Sequence, residues 1–283
     1  MSVRRGGDLT APEEPPGKAG WWEGLPPDVR EAVSRSVLPR RYAAGDVLYA
    51  QGEVPPGLFG IRSGTTQTIG VSSQGHPTLL SINRAGEWTG FLSLLDDQPA
   101  PFAVVAAEPV DAVLLPAASA LRIFGGSADT LALLAGPLIS ILQFVFDYLT
   151  ETNNRSPRRV LARRLLDLSR CSYLPAGLST TMVGPISQSA LAAASYLTRQ
   201  TANRILKAFE KEGLVSIGYG RVDIVDQAGL ERVAAGNGAA VPPAPLPLIR
   251  CGMTKLGRFP PKPANALRRK AGCPRSLRRF VTK

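Results

Sequence analysis

Histidine and cysteine are scarce in this sequence: one histidine, His76, and three cysteines, Cys171, Cys251 and Cys273, spread over 283 residues. No grouping of them has the spacing of a zinc or iron–sulfur site, and no Cys–His pair is evident, so metal ligation and thiol catalysis lack support. No nucleophile–base pair or phosphate loop argues for an enzyme, and no cofactor is expected. So few cysteines fit a reducing cytoplasm. The first twenty residues carry no apolar core segment, so no secretory signal is expected.

Acidic residues are missing after Glu231, whereas eleven Lys and Arg follow Val233. The formal charge of +11 therefore resides wholly in the last part of the chain, leaving 22 basic against 22 acidic residues in 1–232. Long hydrophobic runs are also lacking. The longest, LALLAGPLISILQFVF (131–146), is interrupted by Gly136-Pro137 and stopped by Asp147. It falls short of the roughly 20 residues of a membrane span. A buried helix is the preferred reading and no membrane partner is expected. The alternative is a membrane-associated regulatory subunit, with 131–149 inserted and the basic tail on anionic lipid.

What is present divides into five parts. Residues 1–20 read as a flexible lead-in. In 21–126 a short amphipathic helix (21–38, with Leu25, Val29, Ala32 and Val33 at helical spacing) precedes glycine-punctuated β-type runs. These include DVLYAQG, LFGIRSG, TQTIGV, TLLSIN, FAVVAAE and VDAVLLP. A hairpin turns at Gly75, and the run lengths suggest a small sandwich or barrel. Residues 127–155 form a long helix whose stripe Leu131, Leu134, Leu138, Ile141, Val145 and Tyr148 suits a two-helix seam. Its other face is apolar too (Leu133, Ile139, Leu142, Phe144, Phe146), so contact with both its own domain and a partner is expected. Pro137 either kinks this helix or starts it afresh. In 156–236, Ser156-Pro157 cap a helix with Val160, Leu161, Leu165 and Leu168 inward and its arginines outward. Residues 237–283 are rich in proline and arginine without periodicity and are read as a disordered basic tail. The fold class is α+β.

The segment ISQSALAAASYLTRQTANRILKAFEKEGLV (186–215) carries the functional signal. A helix over 187–194 places Ala190, Leu191 and Ala194 inward, and a turn follows at Ser195–Leu197. Thr198 then caps a second helix with Ala202, Ile205, Leu206 and Phe209 buried. Its opposite face presents Arg199, Gln200, Asn203, Arg204 and Lys207. Arg can bond guanine O6 and N7 together, and Gln or Asn can pair with adenine. Thr198, Thr201 and the helix N-terminus suit phosphate. LVSIGYGRVDIVD follows as two strands around Gly218-Tyr219-Gly220, a wing from which Arg221 can reach the DNA backbone.

In these residues the chain resembles the Crp/Fnr-type transcription regulators, over roughly 25–235. LAAASYLTRQTANRILKAFEKEGLV is similar to that family's LAxxxGxSRxTVxRxLxxLxxxGLI, with Tyr196 where the family has a turn glycine. The resemblance implies an N-terminal cyclic-nucleotide-binding-like β-roll, a dimerisation helix at 127–155 and a C-terminal winged helix-turn-helix. Its implied partners are double-stranded DNA, a second copy of the chain and RNA polymerase, in the cytoplasm. By this match Arg199, Gln200 and Arg204 would read bases. A tyrosine at the turn position implies a re-set turn, since a bulky residue at positive φ is strained.

AAGDVLYAQGEVPPGLFGIRSG (43–64) resembles the opening of the family's β-roll, and GEWTGFLSLLDDQPAPFAV (86–104) falls on its phosphate-binding cassette. Gly90 matches the cassette glycine and Leu92 its apolar run. The ribose-binding glutamate becomes Phe91, the phosphate-pairing arginine Pro101, and the hydroxyl Phe102. No arginine lies between Arg84 and Arg122. A buried phosphate would lose its charge-assisted partner, and Phe91 and Phe102 would add bulk to the pocket. Control by cyclic AMP is therefore not expected. The family's iron–sulfur and haem modes also lack their ligands, and no effector is assigned.

Overall fold

The computed structural model describes residues 21–152, 156–169 and 181–236. The sensor begins with α1 (Pro27–Ser34) and β1 (Leu38–Tyr42). It continues through β2 (Val47–Tyr49), β3 (Gly57–Ser63), β4 (Thr66–Val71), β5 (Pro77–Asn83) and β6 (Trp88–Thr89). A short α2 (Phe91–Asp96) leads into β7 (Ala103–Ala106), β8 (Val110–Pro116) and α3 (Ala117–Phe124). Two four-stranded antiparallel sheets result, ordered β1-β8-β3-β6 and β2-β7-β4-β5. Their facing side chains, among them Tyr49, Phe59, Ile61, Val104, Ala112 and Leu114, fill the roll interior.

Helix α1 starts at Pro27, later than the predicted 21, because Pro26-Pro27 suits a helix start and not its interior. Leu25 is nevertheless buried ahead of it, with Trp22, Val29 and Val33. This end of the domain closes on an aromatic cluster in which Trp21 meets Trp88, Phe91 and Phe124 at 5.0–5.5 Å.

Helix α4 (Ala128–Thr152) runs continuously through Pro137. The sequence-derived stripe divides along its length. Leu134 is buried, and Leu133 and Leu138 pack on the same aromatic cluster, so these face the chain's own domain. Leu131, Ile139, Leu142, Val145 and Phe146 are exposed. The physical reason is local cover: the Trp21 indole donates to the Leu133 carbonyl (2.6 Å) and α2 packs on the first half of α4. Beyond that, a helix of 25 residues, roughly 37 Å long, outruns the sensor. The side chains of Phe144 and Tyr148 lie outside the described residues, as do 1–20 and the tail 237–283.

The C-terminal part holds α5 (Pro157–Ser169), β9 (Met182–Val183), α6 (Gln188–Ala194), α7 (Arg199–Lys211), β10 (Val215–Gly218), β11 (Arg221–Ile224) and α8 (Gln227–Ala235). Its sheet is ordered β10-β11-β9. The expectation that every arginine of α5 points outward is corrected: Arg164 is 4% exposed and turned into the sensor. An apolar cluster joins the two parts, with Ile69, Leu79 and Ile82 on one side and Leu161, Leu165 and Ala190 on the other.

Candidate nucleic-acid interface

The helix-turn-helix is assembled by local hydrogen bonds. Ser187 caps α6 by accepting from the Ala190 amide at 3.0 Å. Thr198 caps α7, its hydroxyl accepting from the Thr201 amide at 3.2 Å and donating to the Thr201 hydroxyl at 2.9 Å. Both thresholds satisfy amides that a helix start leaves open. The turn retains its left-handed residue: Tyr196 sits at φ 52, so the re-set expected for a non-glycine does not occur. The residue is 69% exposed.

In α7 the stripe Ala202, Ile205, Leu206 and Phe209 is buried. Arg199, Gln200, Arg204 and Lys207 are exposed on the other side, one helical turn apart, and Thr198 is exposed at the start. Thr201 is half-buried. Asn203 is half-buried as well, and its Oδ1 is enclosed without a protein partner. It is thus set back from the surface that the two arginines and Gln200 share.

The wing turns tightly at Tyr219-Gly220, where Gly220 at φ 66 supplies a left-handed position. Tyr219 is fully exposed at the tip. Arg221 is exposed and lies 3.2 Å from Asp223, so it reaches outward from within an ion pair. The carboxylate of Glu210 accepts from the Ile217 amide at 2.9 Å and ties the wing to α7. The third strand, β9, has no sequence signature because two residues cannot display an alternation.

The cassette residues are not brought together. Gly90 holds φ 104, and a Cβ there would come within 2.6 Å of the Gly57 carbonyl oxygen. Phe91 opens α2 but is 2% exposed, edge-on to Trp21, so it fills the helical core and not a pocket. Leu92 is half-buried and Pro101 exposed. Phe102 packs on Tyr49 in the roll interior. Burial raises the Tyr49 phenol well above its ordinary pKa, with a hydrogen bond to Thr89 (2.9 Å) acting weakly the other way. Asp96 and Asp97, both exposed, end α2, and the charged residues of 86–104 (these two and Glu87) all have the wrong sign for a phosphate.

Residues 39–126 match the cyclic nucleotide-binding domain family, and residues 161–233 match the Crp-like helix-turn-helix domain family. This protein is a Crp/Fnr-type regulator. The Cyclic AMP receptor protein of Thermus thermophilus is 28% identical to this regulator over 232 residues, covering 76% of this chain and 96% of the relative. The CRP-like cAMP-activated global transcriptional regulator of Mycobacterium tuberculosis is 27% identical over 227 residues, covering 77% and 97%. In fold, the regulator is similar to FixK2 from Bradyrhizobium japonicum, with a TM-score of 0.60 at 16% identity over 71% of this chain and 99% of that one.

Among the described residues no helix is long and apolar enough to cross a membrane, so the membrane-subunit alternative loses the element it rested on. The same residues contain no group of three or more His, Cys, Asp or Glu that could hold a metal ion.

Proposed function

We propose that the protein is a homodimeric, sequence-specific DNA-binding regulator whose reading of two-fold sites is not controlled by cyclic AMP. The observation that carries the DNA reading is the exposed face of capped helix α7. Arg199, Gln200 and Arg204 stand together there as base-edge readers, with Asn203 set behind them. Thr198, Thr201 and the helix N-terminus take phosphates, and Arg221 takes one from the wing. The exposed apolar half of α4 supports pairing with a second copy, which places two recognition helices on two half-sites.

The relatives' names speak of cyclic AMP, but the cassette here offers no cation between Arg84 and Arg122. Its Phe91 is committed to the core. Both features support a regulator with a different effector or none. The test is selection of bound duplexes from a random pool, with and without cyclic AMP, followed by Arg199→Ala and Arg204→Ala on the selected site. Each arginine is expected to supply about 1–3 kcal/mol of discrimination over random DNA at fixed salt. An unchanged preference overturns the assignment of α7. A cyclic-AMP-dependent selection overturns the second half of the proposal.

A further inference from the structure

Among the described residues, Arg164, Arg84 and Gln67 cross between the sensor and the DNA-reading part, and each donates to a main-chain carbonyl. From α5, the buried Arg164 guanidinium donates to Leu79 O (2.5 Å) and Leu80 O (3.0 Å) on β5. In the return direction Arg84, just past β5, donates to Leu168 O (2.9 Å) at the end of α5 and to Met182 O (3.0 Å) on β9. From β4, the Gln67 amide donates to Pro185 O (2.6 Å) in the connector to α6. Burying a guanidinium is costly unless its N–H groups find acceptors, and these acceptors are in reach only at one relative setting of the two parts.

Arg84 rises from a fixed base. Asn83 donates to the hydroxyls of Thr66 and Thr68 at 3.1 and 3.0 Å, and the Arg84 amide donates to the buried Glu87 carboxylate at 2.5 Å. What Arg84 holds is the foundation of the wing. Strand β9 pairs with β11, and the Ile186 amide donates to Gly220 O at the wing tip (2.7 Å). The contact engages α5, α6 and β9 while Arg199, Gln200, Arg204 and Tyr219 stay exposed. A contact that masked the DNA face would cover those residues. This one leaves them open and fixes their direction.

We propose that Arg84 is a positioning residue for DNA reading: by clamping the carbonyls of Leu168 and Met182 it sets the angle of the helix-turn-helix on the sensor, and so the half-site spacing that the dimer accepts. The inference rests on the dimeric DNA reading proposed above. It makes the β4–β5 face, and not α4 alone, a route by which the sensor influences binding.

The test uses the full chain and the duplex selected by the wild-type protein, remade with one half-site alone and with two half-sites separated in single-base-pair steps. Hydrogen–deuterium exchange over 181–186 is followed in parallel. For Arg84→Ala, single-half-site affinity should stay within about two-fold of wild type, the scatter of independent sites. The preference for the best spacing over its neighbours should fall about ten-fold, the worth of one charge-assisted hydrogen bond. Arg84→Lys, which keeps a cationic donor, should recover part of that preference. A spacing profile as sharp as wild type overturns the proposal, as does an equal loss on every duplex, which marks a general folding role. If the wild type selects no duplex, the DNA reading itself has failed and exchange decides. Faster exchange at 181–186 in Arg84→Ala then retains the clamp, and unchanged exchange removes it.

Discussion

The glycine turn of the cassette has no basic residue between Arg84 and Arg122, and Gly90→Ala tests whether the turn serves as scaffold. Two costs add at this position. Its φ of 104 lies outside what an L side chain readily adopts, a strain of about 1–3 kcal/mol. The new Cβ would also stand 2.6 Å from Gly57 O. That carbonyl has little room to yield, because Gly57 is paired with Pro116 across β3–β8 and any Cβ of its own would meet Leu115 O at 2.0 Å. Overpacking of this kind costs about 1–3 kcal/mol more. The control is Gly75→Ala, at φ 79 with nothing within 4 Å, which carries only the conformational term of about 1–2 kcal/mol. Urea unfolding at fixed protein concentration should therefore show Gly90→Ala losing about 2–6 kcal/mol and Gly75→Ala clearly less. By calorimetry the gap should appear as a midpoint lower by roughly 2–4 °C per kcal/mol. Equal losses in the two variants would refute the reasoning, because the backbone approach at Gly57 would then contribute nothing.

Three further outcomes are expected. Tyr49→Phe should cost about 1 kcal/mol at neutral pH, the hydrogen bond to Thr89, and should make the alkaline loss of stability shallower. The sign follows from the raised folded pKa: the unfolded phenol ionises near about pH 10, so the stabilisation is complete below that and declines as pH rises, by up to about 1.4 kcal/mol per unit. Urea titrations at about pH 7 and about pH 11 measure both effects. Tyr196→Gly should stabilise by up to about 1 kcal/mol by relieving φ 52, less the freedom glycine gains when unfolded, while Tyr196→Ala should give no gain. Leu142→Glu combined with Val145→Glu should reduce the sedimenting species to a single chain, because both side chains are exposed on α4. A paired species in that variant would place the interface elsewhere.

Features set by short-range chemistry were legible from sequence. The buried stripe of α7 follows from a period and a cap within thirteen residues and emerged as expected, whereas Asn203, read on the opposite face, is set back from it. The glycine-bounded strands β3 and β4, and the apolar run of β8, were equally plain. Edge strand β1 was not, because Pro39-Arg40-Arg41 lacks an apolar alternation and proline is tolerated where an amide faces no neighbour. Arg164 was misread for a different reason. Its acceptors, Leu79 O and Leu80 O, lie about 85 residues away, and nothing local distinguishes it from the neighbouring Arg163, which pairs with Asp167 at 2.9 Å. The stripe on α4 was visible, but its division depended on Trp21 and α2, which reach it through the tertiary fold. The contact of Phe91 with Trp21 was not legible, since chain position does not say which way a side chain at a helix start turns.

The cassette shows how fold and ligand chemistry separate within one stretch. Gly90 and Phe91 serve the core, one by allowing a close backbone approach and the other by filling space beside Trp21. A glutamate and an arginine in place of Phe91 and Pro101 would serve a phosphate ester, and in its absence a buried glutamate would be an unpaired charge costing several kcal/mol. Phenylalanine at that position removes the cost and adds about 1.5–3 kcal/mol of burial. The same domain offers Leu79, Leu80, Arg84 and Gln67 to the DNA-reading part. The proposed reading of DNA without cyclic AMP would call for this combination: packing at the cassette that needs no ligand, and a docking face that depends on that packing.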